Sequence, residues 1–157
     1  MKRTILVLII TTFLLFQAIP AIASSSFPVT IIAETVFNEP EALFTASGEA
    51  VNQGLICSAG TVTDGKYIAA GRWEGPNGPH WNFIIQKVFV CEDGSGSFTI
   101  NLRAHAYFDP YNNEGTWNVL WGDGDYGSLH GGGSFEGIMF GDGTGVYDIY
   151  TGSVHID

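Results

Sequence analysis

The sequence predicts an antiparallel all-β fold of about eight strands. Three observations carry the prediction. Glycine supplies 21 of the 157 residues, and each glycine weakens a helix interior by about 1 kcal/mol relative to alanine, so a helical bundle is a poor fit. Turn-forming clusters recur between short apolar runs, at the spacing of a sandwich or a barrel. Within those runs apolar residues alternate with polar ones, the period of a strand that turns one face to a core. After residue 23 no segment carries a helical apolar stripe of useful length, and no fixed-period repeat is present.

The N-terminus has a different character. Lys2 and Arg3 precede an uncharged run from Ile5 to Phe16, and Pro20-Ala21-Ile22-Ala23 forms an A-x-A pattern before Ser24. This predicts a secretory signal peptide over 1–23, because the run is shorter than the ~20 residues a spanning helix needs. Cleavage leaves four Lys/Arg against sixteen acids, a formal −12 compared with −10 for the whole chain. The expected product is secreted and extracellular, with no membrane segment after cleavage and no cysteine at the cleavage-like site to acylate. So acidic a chain repels phosphate backbones and anionic lipid, which excludes nucleic acid as a partner.

The strands follow in order. Residues 24–42 form a mixed N-terminal extension in which Val29 to Ala33 has the makings of one strand. The barrel or sandwich domain proper is expected over 43–157. Phe44 to Val51 and Leu55 to Val62 come first, the latter ending at an Asp64-Gly65 turn signal. Lys66 to Trp73 is next, closed by the glycine- and proline-rich stretch from Glu74 to Pro79. Trp81 to Cys91 and Ser97 to Tyr107 should pair as a hairpin across Glu92 to Gly96. In the second of these, Phe98, Ile100, Leu102, Ala104 and Ala106 share one face and Thr99, Asn101, Arg103, His105 and Tyr107 the other. Thr116 to Trp121 places Trp117, Val119 and Trp121 together; Gly133 to Phe140 and Gly145 to Ile156 complete the set.

Cys57 and Cys91 are the only cysteines, and neither lies in a metal-ligand spacing such as C-x-x-C. In an oxidising compartment they are expected to form a disulfide with Cα atoms within about 7 Å, on neighbouring strands. The closed loop would stabilise the fold by roughly 3 to 4 kcal/mol on the chain-entropy account.

Gly115-Thr116-Trp117-Asn118-Val119, followed by Gly122-Asp123-Gly124-Asp125-Tyr126-Gly127-Ser128-Leu129-His130-Gly131-Gly132-Gly133, resembles the strand and glycine-turn pattern of the allene oxide cyclase and dirigent barrels, in particular their secreted bacterial-type members. Phe44 to Gly48, Val88 to Ile100 and Tyr150 to Val154 add to the resemblance, which spans residues 43 to 157 or so. It implies an eight-stranded antiparallel barrel with a central cavity. Plant members of that group steer cyclisation or radical coupling of apolar substrates inside the barrel. No catalytic motif matches residue by residue, so no catalytic residue is carried over.

Alternation supplies the local candidates for chemistry. Arg103 with His105, and Asp148 with Tyr150, lie two apart on their strands, and such a wall could bind a carboxylate or polarise an oxygen. The simpler reading sets these residues on the solvent face. A ligand pocket, if present, is expected to be lined by Trp117 and Tyr147. Trp73, Trp81, Trp117 and Trp121 could stack sugars, but Trp117 and Trp121 read better as core. His80, His105, His130 and His155 form no ligand spacing. Asp123-Gly124-Asp125 and Gly141-Asp142-Gly143 suit tight turns, without the loop patterns of calcium sites. No G-x-S-x-G elbow and no phosphate cradle occurs. The expectation is therefore a secreted barrel without metal or cofactor. It binds a small apolar or amphipathic ligand or serves as a stable extracellular domain, and an isomerase or cyclase using the same cavity is the alternative. Oligomeric state is left open.

Overall fold

The computed structural model describes residues 25–75, 78–108 and 111–157; the signal-peptide expectation lies outside them. Eight strands close into an up-and-down antiparallel barrel in sequence order: β1 (Phe27–Val36), β2 (Glu41–Ser47), β3 (Ala59–Gly75), β4 (Gly78–Cys91), β5 (Gly96–Phe108), β6 (Tyr111–Gly124), β7 (Leu129–Met139) and β8 (Gly145–Ile156). The sheet closes where β1 pairs with β8 along its whole length, from Phe27 opposite Val154 to Val36 opposite Gly145. Closure satisfies the edge strands that an open sheet would leave unpaired. No helix among the described residues is long and apolar enough to cross a membrane.

The segment 24–42 is therefore no appendage. Val29, Ile31 and Ala33 point inward and are almost fully buried, so β1 contributes a wall of the barrel and its seam. One sequence-derived turn and one sequence-derived pair of strand ends also resolve differently. Asp64-Gly65 is not a hairpin turn: β3 runs through it for 17 residues, and its register with β4 slips between Asp64 and Tyr67 and again between Tyr67 and Ala69. The extra residues are absorbed as bulges, which bend the strand without reversing it. Residues 48–58, by contrast, are not strand. Gly48, at φ 113°, turns the chain out of β2 into one short helix, α1 (Glu49–Asn52). A Cβ there would sit 2.6 Å from the Pro28 carbonyl oxygen, so glycine is needed for this crossing.

A third difference concerns Trp121. Thr99 opposes Trp121 but Ile100 opposes Val119, so Leu120 is an extra residue on β6. A one-residue slip reverses the facing of everything beyond it. Trp117 is buried with 3% exposure while Trp121 is 54% exposed.

The inward residues divide the barrel by size. Toward the end that carries α1, the interior is filled by Phe44, Phe89, Phe98, Tyr126 and Tyr150; Phe89 and Phe98 stack with centroids 4.8 Å apart, and Phe44 meets Phe89 edge-on at 5.2 Å. Cys57 and Cys91 are joined there with Cα atoms 6.0 Å apart. Cys57 lies just before β3 and not on a strand, so the bond fastens the α1 segment to β4. Toward the other end the inward positions are small: Ala33, Ala42, Ala104, Ala106, Gly115 and Gly137. Room remains at that end.

Candidate ligand cavity

The space is a cavity of about 150 Å³, close to the volume that holds a benzene ring in an engineered protein core. Phe83, Ile85, Leu102, Phe135 and Val146 form apolar wall, and Phe37, Tyr67 and Tyr111 stand toward its mouth. Asp64, Lys87, Asn113 and Asp148 supply the polar part. A second hollow of about 170 Å³ shares Asp64 and Lys87 and is bounded by Thr35, by Glu39 in the β1–β2 connection and by Glu41 at the start of β2.

Strand parity puts the charges inside. On β4 the inward residues are Phe83, Ile85, Lys87, Phe89 and Cys91, so Lys87 takes a position that its neighbours fill with apolar side chains; it is 9% exposed. Its Nζ lies 2.5 Å from Asp64 Oδ1 and 3.8 Å from Asp148 Oδ2. Thr35 Oγ1 donates to Asp148 Oδ2 at 3.0 Å. Burial pushes the Asp148 carboxyl above its ordinary value; the Lys87 ammonium and the Thr35 hydroxyl offset part of this, and the Asp64 charge reinforces it. Burial likewise drives the Tyr150 hydroxyl well up, with Asp148 and Asp64 adding to the effect. Asn113 Nδ2 donates to the Tyr111 hydroxyl at 3.4 Å, while Asn113 Oδ1 and the Tyr150 hydroxyl are buried without a hydrogen-bond partner. Gly137 makes this possible, because a Cβ there would lie 2.9 Å from Asn113 Nδ2.

Of the residues singled out from sequence, Asp148 lines this cavity, whereas Trp117, Tyr147, Arg103 and His105 do not. Trp117 is core, edge-on to Tyr150 at 6.5 Å. Tyr147 lies on the outer face against Phe140, with ring centroids 4.5 Å apart. Arg103 and His105 are exposed on the outer face of β5, where His105 Nδ1 is hydrogen bonded to Asn82 Oδ1 across the strand pair. The solvent-face reading thus holds for Arg103 and His105 but not for Asp148 and Tyr150, which are 5% and 0% exposed. The histidines, scattered in sequence, come together as two cross-strand pairs, His80 with His105 and His130 with His155. Among the described residues no group of three or more His, Cys, Asp or Glu side chains is placed to hold a metal ion. Asp93 and Asp142 instead close their own turns, each accepting from the backbone and hydroxyl of the residue two positions on, Ser95 and Thr144. Exposed Trp81 and Trp121 lie on different strands and are not register partners; the Trp73 side chain lies outside what is described.

Sequence reasoning missed Lys87, Asp64 and Asn113. A signal for Lys87 was available: Phe83, Ile85 and Phe89 share its parity and mark that face as interior. Compared with known protein families, curated proteins and solved structures, the chain matches none.

Proposed function

We propose that this chain is a secreted barrel that binds a small apolar or amphipathic ligand in the cavity at its wider end. The observation that carries the reading is the buried Lys87, shared between Asp64 and the buried Asp148, on one side of a partly empty interior whose remaining wall is largely apolar. Burying ion pairs of this kind contributes little net stability, and well-packed apolar residues of similar volume commonly serve the fold as well or better. A buried carboxyl pushed above its ordinary value in a cleft, as Asp148 is, is more economically read as part of a site. The cavity is smaller than the ~300 Å³ at which common ligand pockets begin, which restricts the ligand to a few heavy atoms beyond a single ring. The resemblance to allene oxide cyclase and dirigent barrels supports a ligand inside the barrel, and the Cys57–Cys91 bond supports an oxidising compartment.

Native mass spectrometry of the purified protein should retain a small molecule, and benzene-sized amphipathic compounds should raise its thermal midpoint. Absence of both effects would remove the reading. The isomerase or cyclase alternative draws on Asp148, a carboxyl whose burial favours the protonated form and which could pass a proton to a bound substrate. Its test is conversion of a bound compound to a product of unchanged mass, abolished by Asp148→Asn with binding retained.

A further inference from the structure

Resting on the ligand-binding reading, we infer that the cavity selects a small amphipathic cation, a protonated primary amine carried on a single ring, over the isosteric alcohol, hydrocarbon and carboxylate. The inference comes from counting what the polar lining offers. Lys87 supplies the ammonium, and it is committed to Asp64 at 2.5 Å. Asp148, at 3.8 Å from the same nitrogen, holds among the described residues only the Thr35 hydroxyl at closer range. One cation therefore serves two carboxylates. Asn113 Oδ1, on a side chain only 7% exposed, is an acceptor with no donor. A ligand that brings N–H groups and a positive charge would meet the Asp148 carboxylate and the orphan Asn113 oxygen together, and its ring would lie against Phe83, Leu102 and Phe135. A carboxylate in the same place would face Asp148 and Asn113 Oδ1 with lone pairs on both sides.

The approach has the same sign. Glu39 and Glu41 bound the neighbouring hollow that shares Asp64 and Lys87, and the chain as a whole carries −10. Such a field draws cations toward the site and repels anions, the more so at low salt.

The test uses four probes of nearly equal shape: toluene, benzyl alcohol, benzylamine and benzoate, titrated calorimetrically into the purified protein near neutral pH. Benzylamine should bind about tenfold or more tightly than benzyl alcohol, the worth of one charge-assisted hydrogen bond, and benzoate should bind weakest. Asp148→Asn should remove that advantage, with benzylamine losing several-fold more affinity than benzyl alcohol, because the lost charge matters most to the cation. Should the variant fold poorly, the unmodified protein gives the same information. Benzylamine affinity should fall as pH is lowered and the Asp148 carboxyl takes up its proton, with Lys87, Asp64, Tyr111, Tyr150, Glu39 and Glu41 the other titratable groups around the two hollows. Benzyl alcohol affinity should fall much less. If toluene, benzyl alcohol or benzoate binds as tightly as benzylamine, the cation preference is wrong and the cavity remains a binding site. If none of the four binds, the binding reading itself fails.

Discussion

Asp148 sits on an inward position of β8 where Val146, Tyr150 and Val154 are also buried, and its titration follows from that placement. Folded, it holds its proton more tightly than the ordinary carboxyl value of 3.8 it takes in the unfolded chain, chiefly because burial penalises the charge. The stability this group contributes is fully present below the unfolded value and is lost as pH rises through the raised folded value. Asp93 and Asp142 behave oppositely: hydrogen bonds from Ser95 and Thr144 lower both carboxyls, so their contribution is present at higher pH and is lost as pH falls. The two effects occupy different windows on either side of the unfolded carboxyl value. Urea midpoints measured from that value up to neutrality should therefore decline less steeply in Asp148→Asn than in the parent. Lys87, Asp64, Tyr111 and Tyr150 face the same carboxyl and are present in both proteins, so the difference isolates Asp148; equal slopes would show that it is not buried as charge. Parity on β8 leans the right way, with Val146, Tyr150, Val154 and Ile156 on one face against Tyr147 and Ile149 among Gly145, Thr151, Ser153 and His155 on the other. What hides Asp148 in the sequence is its charge, since an acid rarely goes inside unless paired and its partner Lys87 is distant along the chain.

Among the elements, hairpins were the most legible and the α1 crossing the least. The β4–β5 pair could be read directly, since Phe98 to Ala106 alternates without interruption and Glu92 to Gly96 is polar and short. The β3 strand could not, because Asp64-Gly65 has the composition of a turn and only the partner strand shows that the chain continues. Residues 48–58 contain Ala50, Ile56 and Cys57, apolar enough to imitate strand, yet they are buried as a plug over one end of the barrel. The Cys57–Cys91 bond fastens that plug, closing a separation of 34 residues. Replacing both cysteines with serine should lower stability by about 2 to 5 kcal/mol. Because the cavity opens at the other end, affinity for a bound probe should change less than about twofold under conditions where the variant is folded, since distant sites act nearly independently. Chemical denaturation and calorimetry on one sample would check both parts. A large loss of affinity would show that the plug shapes the cavity.

The whole barrel depends on β1, because this strand joins β2 on one side and β8 on the other. Its closing role rests on facing: Ile31 is inward and 1% exposed, whereas the adjacent, chemically identical Ile32 is outward and 36% exposed. Ile31 opposes Tyr150 on β8 and Ala46 on β2, so a charge at that position would enter the aromatic interior with no counter-ion on either neighbour. Ile31→Asp should cost more than about 4 kcal/mol, since an unpaired buried carboxylate gives up its hydration and a large apolar side chain gives up its contacts. Ile32→Asp removes only a half-exposed side chain and some strand propensity, and should cost about 1 kcal/mol. Denaturant unfolding of the two single variants compares one substitution on two faces of one strand. Equal costs would mean that β1 does not seal the barrel in this register. A large cost at Ile31 alone would place the segment 27–36 inside the cooperative unit, where sequence patterning had left it as an extension.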